Sequence, residues 1–338
     1  DVLGSRGLGD VYKRQVINLQ SLVQMVISLI GKEQLMNKII LDTDIGDDID
    51  DAFALSILLN EKNADLLGVT TVFRNSYKRA KMASYLIKTF GKDVKVYAGC
   101  DEPLIAKVET LLSPEIKAKE KLDENGKYLI PQYSKEMDEG VVEKQHAVDF
   151  IIEQAHKYPN EITLVGIGPL TNIALAIRKD PSICSLLKEI RIMGGDPTNV
   201  NCKEWNIFCD PEAARIVYEA DVPLYAVGLN VTMQVKLLAE YREKLKQVDG
   251  KRFSLLSDMM AKWFKHYEFS VPVMHDPLAV TTIFKDVCKF KEDNVFIGLE
   301  NNERAVTLID DCGKKIHYAE SVDVKEFFEY FLETVFKI

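Results

Sequence analysis

The chain has 338 residues, of which 47% are hydrophobic and 28% charged, a globular composition with length for one large α/β domain or two small ones. A formal net charge of −9 argues against nucleic acid or an anionic membrane surface as the principal partner. The six cysteines (Cys100, Cys184, Cys202, Cys209, Cys288 and Cys312) are scattered without a C-x-x-C pair. They read as reduced thiols of a reducing, cytoplasmic compartment rather than a disulfide framework or a zinc site.

At the amino end, Val16–Ile30 is apolar enough for a signal-peptide core. It is too short to span a bilayer, is broken by Asn18, Gln20 and Gln24, and is followed by no small-residue cleavage site. Asp10–Gln15 (DVYKRQ) resembles an in-frame translation of a transposon-end sequencing adapter. Residues 1–36 are therefore expected to be non-native read-through or a disordered leader, with Met36 the expected start and 37–338 the folded domain. From there short apolar runs alternate with helical ones. Strands are expected at Lys38–Leu41, Ala64–Val72, Val94–Ala98, Ile162–Val165, Ile190–Met193 and Leu224–Val227. Helices are expected at Asp51–Leu59, Tyr77–Phe90, Ala147–Lys157, Leu170–Arg178 and Pro211–Glu219, the last with proline in its first turn. Short strands at Val295–Ile297, Ala305–Ile309 and His317–Tyr318 and a closing helix at Val322–Phe336 complete the pattern. Continuous apolar strands alternating with helices predict one domain, α/β and doubly wound, with a mostly parallel Rossmann-like sheet and helices on both faces. Ligands in such sheets bind beyond the carboxyl ends of the strands. Leu104–Glu139, charged and without steady periodicity, reads as an insertion over that edge.

The segment Asp42–Asp51 (DTDIGDDIDD) packs six carboxylates into ten residues at the end of the first strand. So many negative charges raise one another's pKa unless a cation sits among them. Hard oxygen donors at a glycine-containing turn suit calcium or magnesium rather than zinc or copper. An acidic helix start meeting the helix dipole accounts for one or two of these aspartates, but not for Asp42 and Asp44 on the end of a buried strand.

The run IILDTDIGDDIDDAFAL is similar to the amino-terminal signature of the inosine–uridine-preferring nucleoside hydrolase family, and further motifs of that family follow in order. They are Val69–Val72 with Asn75, Leu164–Asn172 (LVGIGPLTN), Met193-Gly194-Gly195, Glu204-Trp205-Asn206 before Asp210-Pro211-Glu212, and His275-Asp276-Pro277. The resemblance implies hydrolysis of the N-glycosidic bond of ribonucleosides to ribose and free base with a calcium-bound water. It implies calcium held by Asp44, Asp51, Asp276 and the main-chain carbonyl of Ile167. Asp44 is then the general base and His275 the general acid to the departing base. Asp50, Asn75, Glu204 and Asn206 would bind the sugar, with Trp205 either stacking on the base or packing. A homodimer or homotetramer is the implied assembly, and no membrane or nucleic-acid partner is expected. Three departures stand out, one being Thr198 where the family usually carries an asparagine six residues before the glutamate, with Asn199 or Asn201 as the substitutes. The acidic loop is one residue longer than the commonest form, making Asp47 or Asp48 surplus, and the insertion lacks the family's His-Gly element. An aspartyl-phosphate phosphatase of the haloacid dehalogenase type also begins with Asp-x-Asp after a first strand, but Ile45-Gly46 and the late His-Asp pair do not suit it. A non-catalytic nucleoside-binding protein is the third reading.

Overall fold

A computed structural model describes residues 36–107, 112–113, 120–123, 126–245, 248, 250–267 and 271–338. The expectations for residues 1–35 lie outside the described residues. Strand β1 (Asn37–Thr43) carries Ile39, Ile40 and Leu41, all fully buried. Successive side chains of a strand point to opposite faces, so Ile39 and Leu41 enter one apolar core and Ile40 the other. Burying each is worth roughly 1.5–3 kcal/mol. A strand covered on both faces is what a central position in a parallel sheet requires.

The remaining elements follow in alternation: α1 (Asp50–Asn60), β2 (Ala64–Thr71), α2 (Ser76–Thr89), β3 (Val96–Ala98), α3 (Ala147–Lys157), β4 (Ile162–Gly166), α4 (Thr171–Lys179), α5 (Ile183–Leu186), β5 (Glu189–Met193), α6 (Trp205–Cys209), α7 (Pro211–Tyr218), β6 (Leu224–Val227), α8 (Leu229–Thr232), α9 (Ala239–Leu245), α10 (Lys251–His266) and α11 (His275–Thr281). An antiparallel region of β7 (Cys288–Ile297), β8 (Thr307–Ile309) and β9 (Lys314–Val322) precedes α12 (Val324–Phe331) and a π-helical turn at Leu332–Phe336. Among the described residues the strands form one sheet in the order β3-β2-β1-β4-β5-β6-β9-β7-β8. Every pairing from β3 to β9 is parallel, and β7 pairs antiparallel with both β8 and β9. Helices α1, α2, α10, α11 and α12 pack into one core, and α3, α4 and α7 into the other. The doubly wound fold is as the sequence predicts.

The carboxyl-terminal region departs from the expected boundaries. Val295–Ile297 is the end of a ten-residue strand, and His317–Tyr318 lies inside a nine-residue one. The strand expected at Ala305–Ile309 begins only at Thr307, because Ala305 adopts a φ of 68°. Along β7 no side chain before Val295 is buried, and Lys289, Lys291 and Glu292 are exposed. An antiparallel ribbon with a solvated face alternates polar and apolar residues, so it leaves no continuous apolar run to read.

Candidate active site

The strand order reverses between β1 and β4, and at such a switch point the chains leaving the two carboxyl ends diverge and open a crevice. The ladder continues briefly past the strand ends: Val72 N–H donates to Thr43 O at 3.1 Å and Ile167 N–H to Asp42 O at 2.9 Å. Beyond them the acidic loop turns sharply. The Thr43 hydroxyl accepts from Ile45 N–H at 3.1 Å and donates to Asp51, tying the strand end to the start of α1. Gly46 has a φ of 123°, and a Cβ there would lie 2.4 Å from Ile130, so the turn tolerates only glycine.

Asp50, Asp51 and Asp276 are buried together, each offering a carboxylate oxygen within 4.8 Å of the others. Asp276 N–H donates to Asp50 Oδ2 at 3.0 Å, locking the first turn of α11 onto that of α1. Burial, and then the neighbouring carboxylates, push all three well above the ordinary aspartate range. Asp44 is 7% exposed and is raised to about 7 by burial, against the pull of Arg79. Its carboxylate packs on Gly168, where a Cβ would come within 2.8 Å of Oδ1. The structure thus brings Asp51 and Asp276 together as the motif reading expects. It adds Asp50, expected at the sugar, to the same trio, and sets Asp44 beside it, close enough for its charge to bear on Asp51 and Asp276. Buried like charges at this spacing cannot all ionise without a cation, and an all-oxygen donor set fits calcium or magnesium. On this observation the residues fit the expected ion.

The remaining candidates hold varied positions. His275 Nδ1 pairs with the Thr232 hydroxyl at 2.7 Å, and burial lowers the ring to about 4, so it is neutral at neutral pH. Glu204 caps α6: its carboxylate accepts from the N–H groups of Gly195, Asn206 and Ile207 at 3.2, 2.9 and 3.0 Å. Burial raises its pKa and those three bonds oppose the rise. The Asn206 amide donates to Ile167 O at 3.2 Å and Met193 O at 3.1 Å, joining the ends of β4 and β5. Asn75 precedes α2 with a φ of 66° and donates to Tyr128 O at 3.1 Å. Phe73 and Arg74 before it also have positive φ, a strained run for non-glycine residues, each costing of order 1–3 kcal/mol. Trp205 is 43% exposed and stacks on Phe208 with ring centroids 5.8 Å apart.

Several contributors escaped the sequence reading. Arg79 is fully buried between the acidic loop and the Phe73–Asn75 corner, with Nη2 on Asp47 Oδ2 at 2.8 Å. Asp47 is thus tied to the helix that follows the second loop. The signal available was a cation in the first turn of a helix, where the dipole disfavours it. Gln132, from the insertion, donates to the carbonyls of Asp47 and Asp48 at 2.9 and 2.7 Å. With Tyr128 it makes the insertion a brace for both site loops. Asn172 of α4 donates to Asp42 Oδ1 at 2.8 Å, as does Thr70 at 2.6 Å. Asp42 is thereby held as a buried acid, raised to about 6 by burial against those two bonds.

Residues 39–329 match the family model described as inosine-uridine preferring nucleoside hydrolase. A probable uridine nucleosidase 2 of Arabidopsis thaliana is 34% identical over 258 residues, covering 73% of this chain and 77% of its own length. A pyrimidine-specific ribonucleoside hydrolase of Shigella flexneri is 33% identical over 252 residues, 72% of this chain and 77% of its own. Among solved structures, a purine-preferring ribonucleoside hydrolase from Gardnerella vaginalis superposes with a TM-score of 0.76 at 30% identity, covering 89% of this chain and 98% of its own. Motif order, fold and these likenesses agree, and the chain belongs to the inosine-uridine preferring nucleoside hydrolase family.

Proposed function

We propose that the protein hydrolyses ribonucleosides to ribose and free base at the crevice between β1 and β4, with calcium as its resident ion. Its class, a hydrolase acting on N-glycosyl compounds, follows from family membership. The single observation that carries the ion is the buried trio Asp50, Asp51 and Asp276. Asp51, Asp276 and Asp44, with the carbonyl of Ile167, would hold calcium, and Asp50 would meet either the ion or the sugar. When bound, the ion would supply positive charge that acidifies a water and anchors sugar hydroxyls.

This chain's own groups account for the other steps. Asp44, brought near neutrality by its burial, is suited to take a proton from the attacking water. As the bond to the base breaks, the sugar acquires oxocarbenium character, which the surrounding carboxylates stabilise. His275 is neutral in the empty site with Nδ1 paired to the Thr232 hydroxyl. To act as general acid it would first take a second proton from solvent, give it to the departing base and return to the neutral ring. Negative charge developing on that base raises the ring's proton affinity and so favours the imidazolium that the transfer needs. Asn75, Glu204 and Asn206 would contact the sugar with the hydrogen-bonding capacity left by their main-chain bonds. The relatives include enzymes named for pyrimidines and for purines, so the reading extends to ribonucleosides as a class. The test is release of free ribose from a nucleoside panel, in calcium and after chelation. Calcium-restored release supports the reading, and full turnover in metal-free protein sinks it.

A further inference from the structure

Arg79 lies outside every role assigned so far, yet it is the side chain that joins the two loops of the site. It is fully buried on the first turn of α2. Its Nε donates to Phe73 O at 2.8 Å and Arg74 O at 3.2 Å. Its Nη1 donates to the carbonyls of Asp44 and Ile45, the latter at 3.1 Å. Nη2 closes on Asp47 Oδ2 at 2.8 Å. Four of the acceptors are therefore main-chain carbonyls, two at Asp44–Ile45 and two in the left-handed corner that leads into Asn75. A guanidinium is a planar fork whose donors keep fixed angles, so bonding both loops sets the distance between them.

A buried cation needed only for cohesion is a poor solution, because apolar residues of similar volume often serve as well. The geometry points to another use. We propose that Arg79 is a positioning residue that holds the backbone of Asp44 and the backbone leading to Asn75 at one spacing, presetting the carboxylate and carboxamide before the nucleoside binds. The inference rests on the calcium and sugar assignments above. Catalysis is sensitive to such spacing because small misplacement of reacting groups is magnified in the transition state.

The test compares Arg79→Lys, which keeps the charge as a compact point, with the double variant Arg79→Met/Asp47→Asn, which removes both charges and leaves no orphaned anion. Melting temperature, calcium affinity by titration calorimetry of chelated protein, and kcat and KM for uridine and inosine are measured on each. A folded double variant should lose roughly 10–100-fold in kcat and in calcium affinity, as when a partner orienting a metal ligand is removed. The lysine variant should recover melting temperature without recovering kcat, since an ammonium cannot bond both loops at once. Values within threefold of the parent protein in either folded variant overturn the proposal. So does unfolding of both variants, which assigns Arg79 to structure alone. A parent protein without calcium-dependent turnover would overturn the site reading and this inference with it, whereas a working parent matched by its variants overturns the inference only.

Discussion

Two regions of this molecule bury carboxylates, and they settle the cost of burial in opposite ways. Glu204 is surrounded by donors: three backbone N–H groups converge on one carboxylate, two of them from the free end of α6. The trio Asp50, Asp51 and Asp276 is surrounded mainly by acids. Its hydrogen bonds, from Thr43 to Asp51 and from Asp276 N–H to Asp50, leave most oxygen lone pairs without a donor. The first arrangement is complete within the chain, since hydrogen bonds to a charged group offset its desolvation. The second lacks such donors, and the proposed calcium would complete it. What separates the two settings is the supply of donors, not depth.

The largest effect should come from the acid next to the trio. Asp44→Asn removes the proposed base and a proposed ligand together, and kcat for ribose release should fall at least roughly 10³-fold while the protein stays folded. A loss below tenfold would take the chemistry away from the acidic loop.

Next in size is His275→Ala. General acid catalysis contributes roughly 10²–10⁴-fold where protonation is needed, so uridine and inosine should slow by that order and a nitrophenyl riboside only slightly. Equal losses on both substrate types would assign the ring to holding Asp276, its neighbour.

Asp50 sharpens the comparison, because the structure places it with the acids that have few donors. Asp50→Asn should weaken calcium binding by roughly 10–100-fold if it serves the ion. If it serves the sugar, KM rises and calcium affinity holds, so calorimetry and kinetics on the same variant decide between them.

The pH dependence carries a definite sign. Asp42 and Asp44 have an unfolded pKa near 3.8 and folded values of about 6 and about 7. A group whose folded state binds its proton more tightly costs nothing below the unfolded value and destabilises as pH rises through the folded one. Chelated protein should therefore lose stability between about pH 4 and pH 7. Calcium, binding the ionised acids of the folded state, should offset that loss by about 2.7 kcal/mol at a hundred times its Kd. The gain in melting temperature on adding calcium should be larger at pH 7.5 than at pH 5; a gain independent of pH would place the ion elsewhere.

The smallest effect should come from the other side of the comparison. Glu204→Gln keeps an acceptor at the cap of α6, and stability should fall by only about 1–2 kcal/mol with calcium affinity within threefold of the parent. A tenfold loss of calcium affinity would mean that the two regions are one site.

The α/β alternation was legible in the residues alone, because strands buried on both faces must be apolar and leave unmistakable runs such as Ile39–Leu41. The sequence also determined the acidic loop and the order of the motifs, since those residues act in short contiguous stretches. It blurred the β7–β9 ribbon, whose solvated face breaks the apolar pattern. Only the tertiary structure joined Asp276 to Asp50 across 226 positions of chain, set Asp47 against Arg79, and turned Gln132 and Tyr128 of the insertion inward as braces. Those partnerships are made by hydrogen bonds and charges between distant segments. A lysine- and arginine-rich helix start reads the same whether its cation meets water or four carbonyls, so the difference exists only once the chain has closed around it.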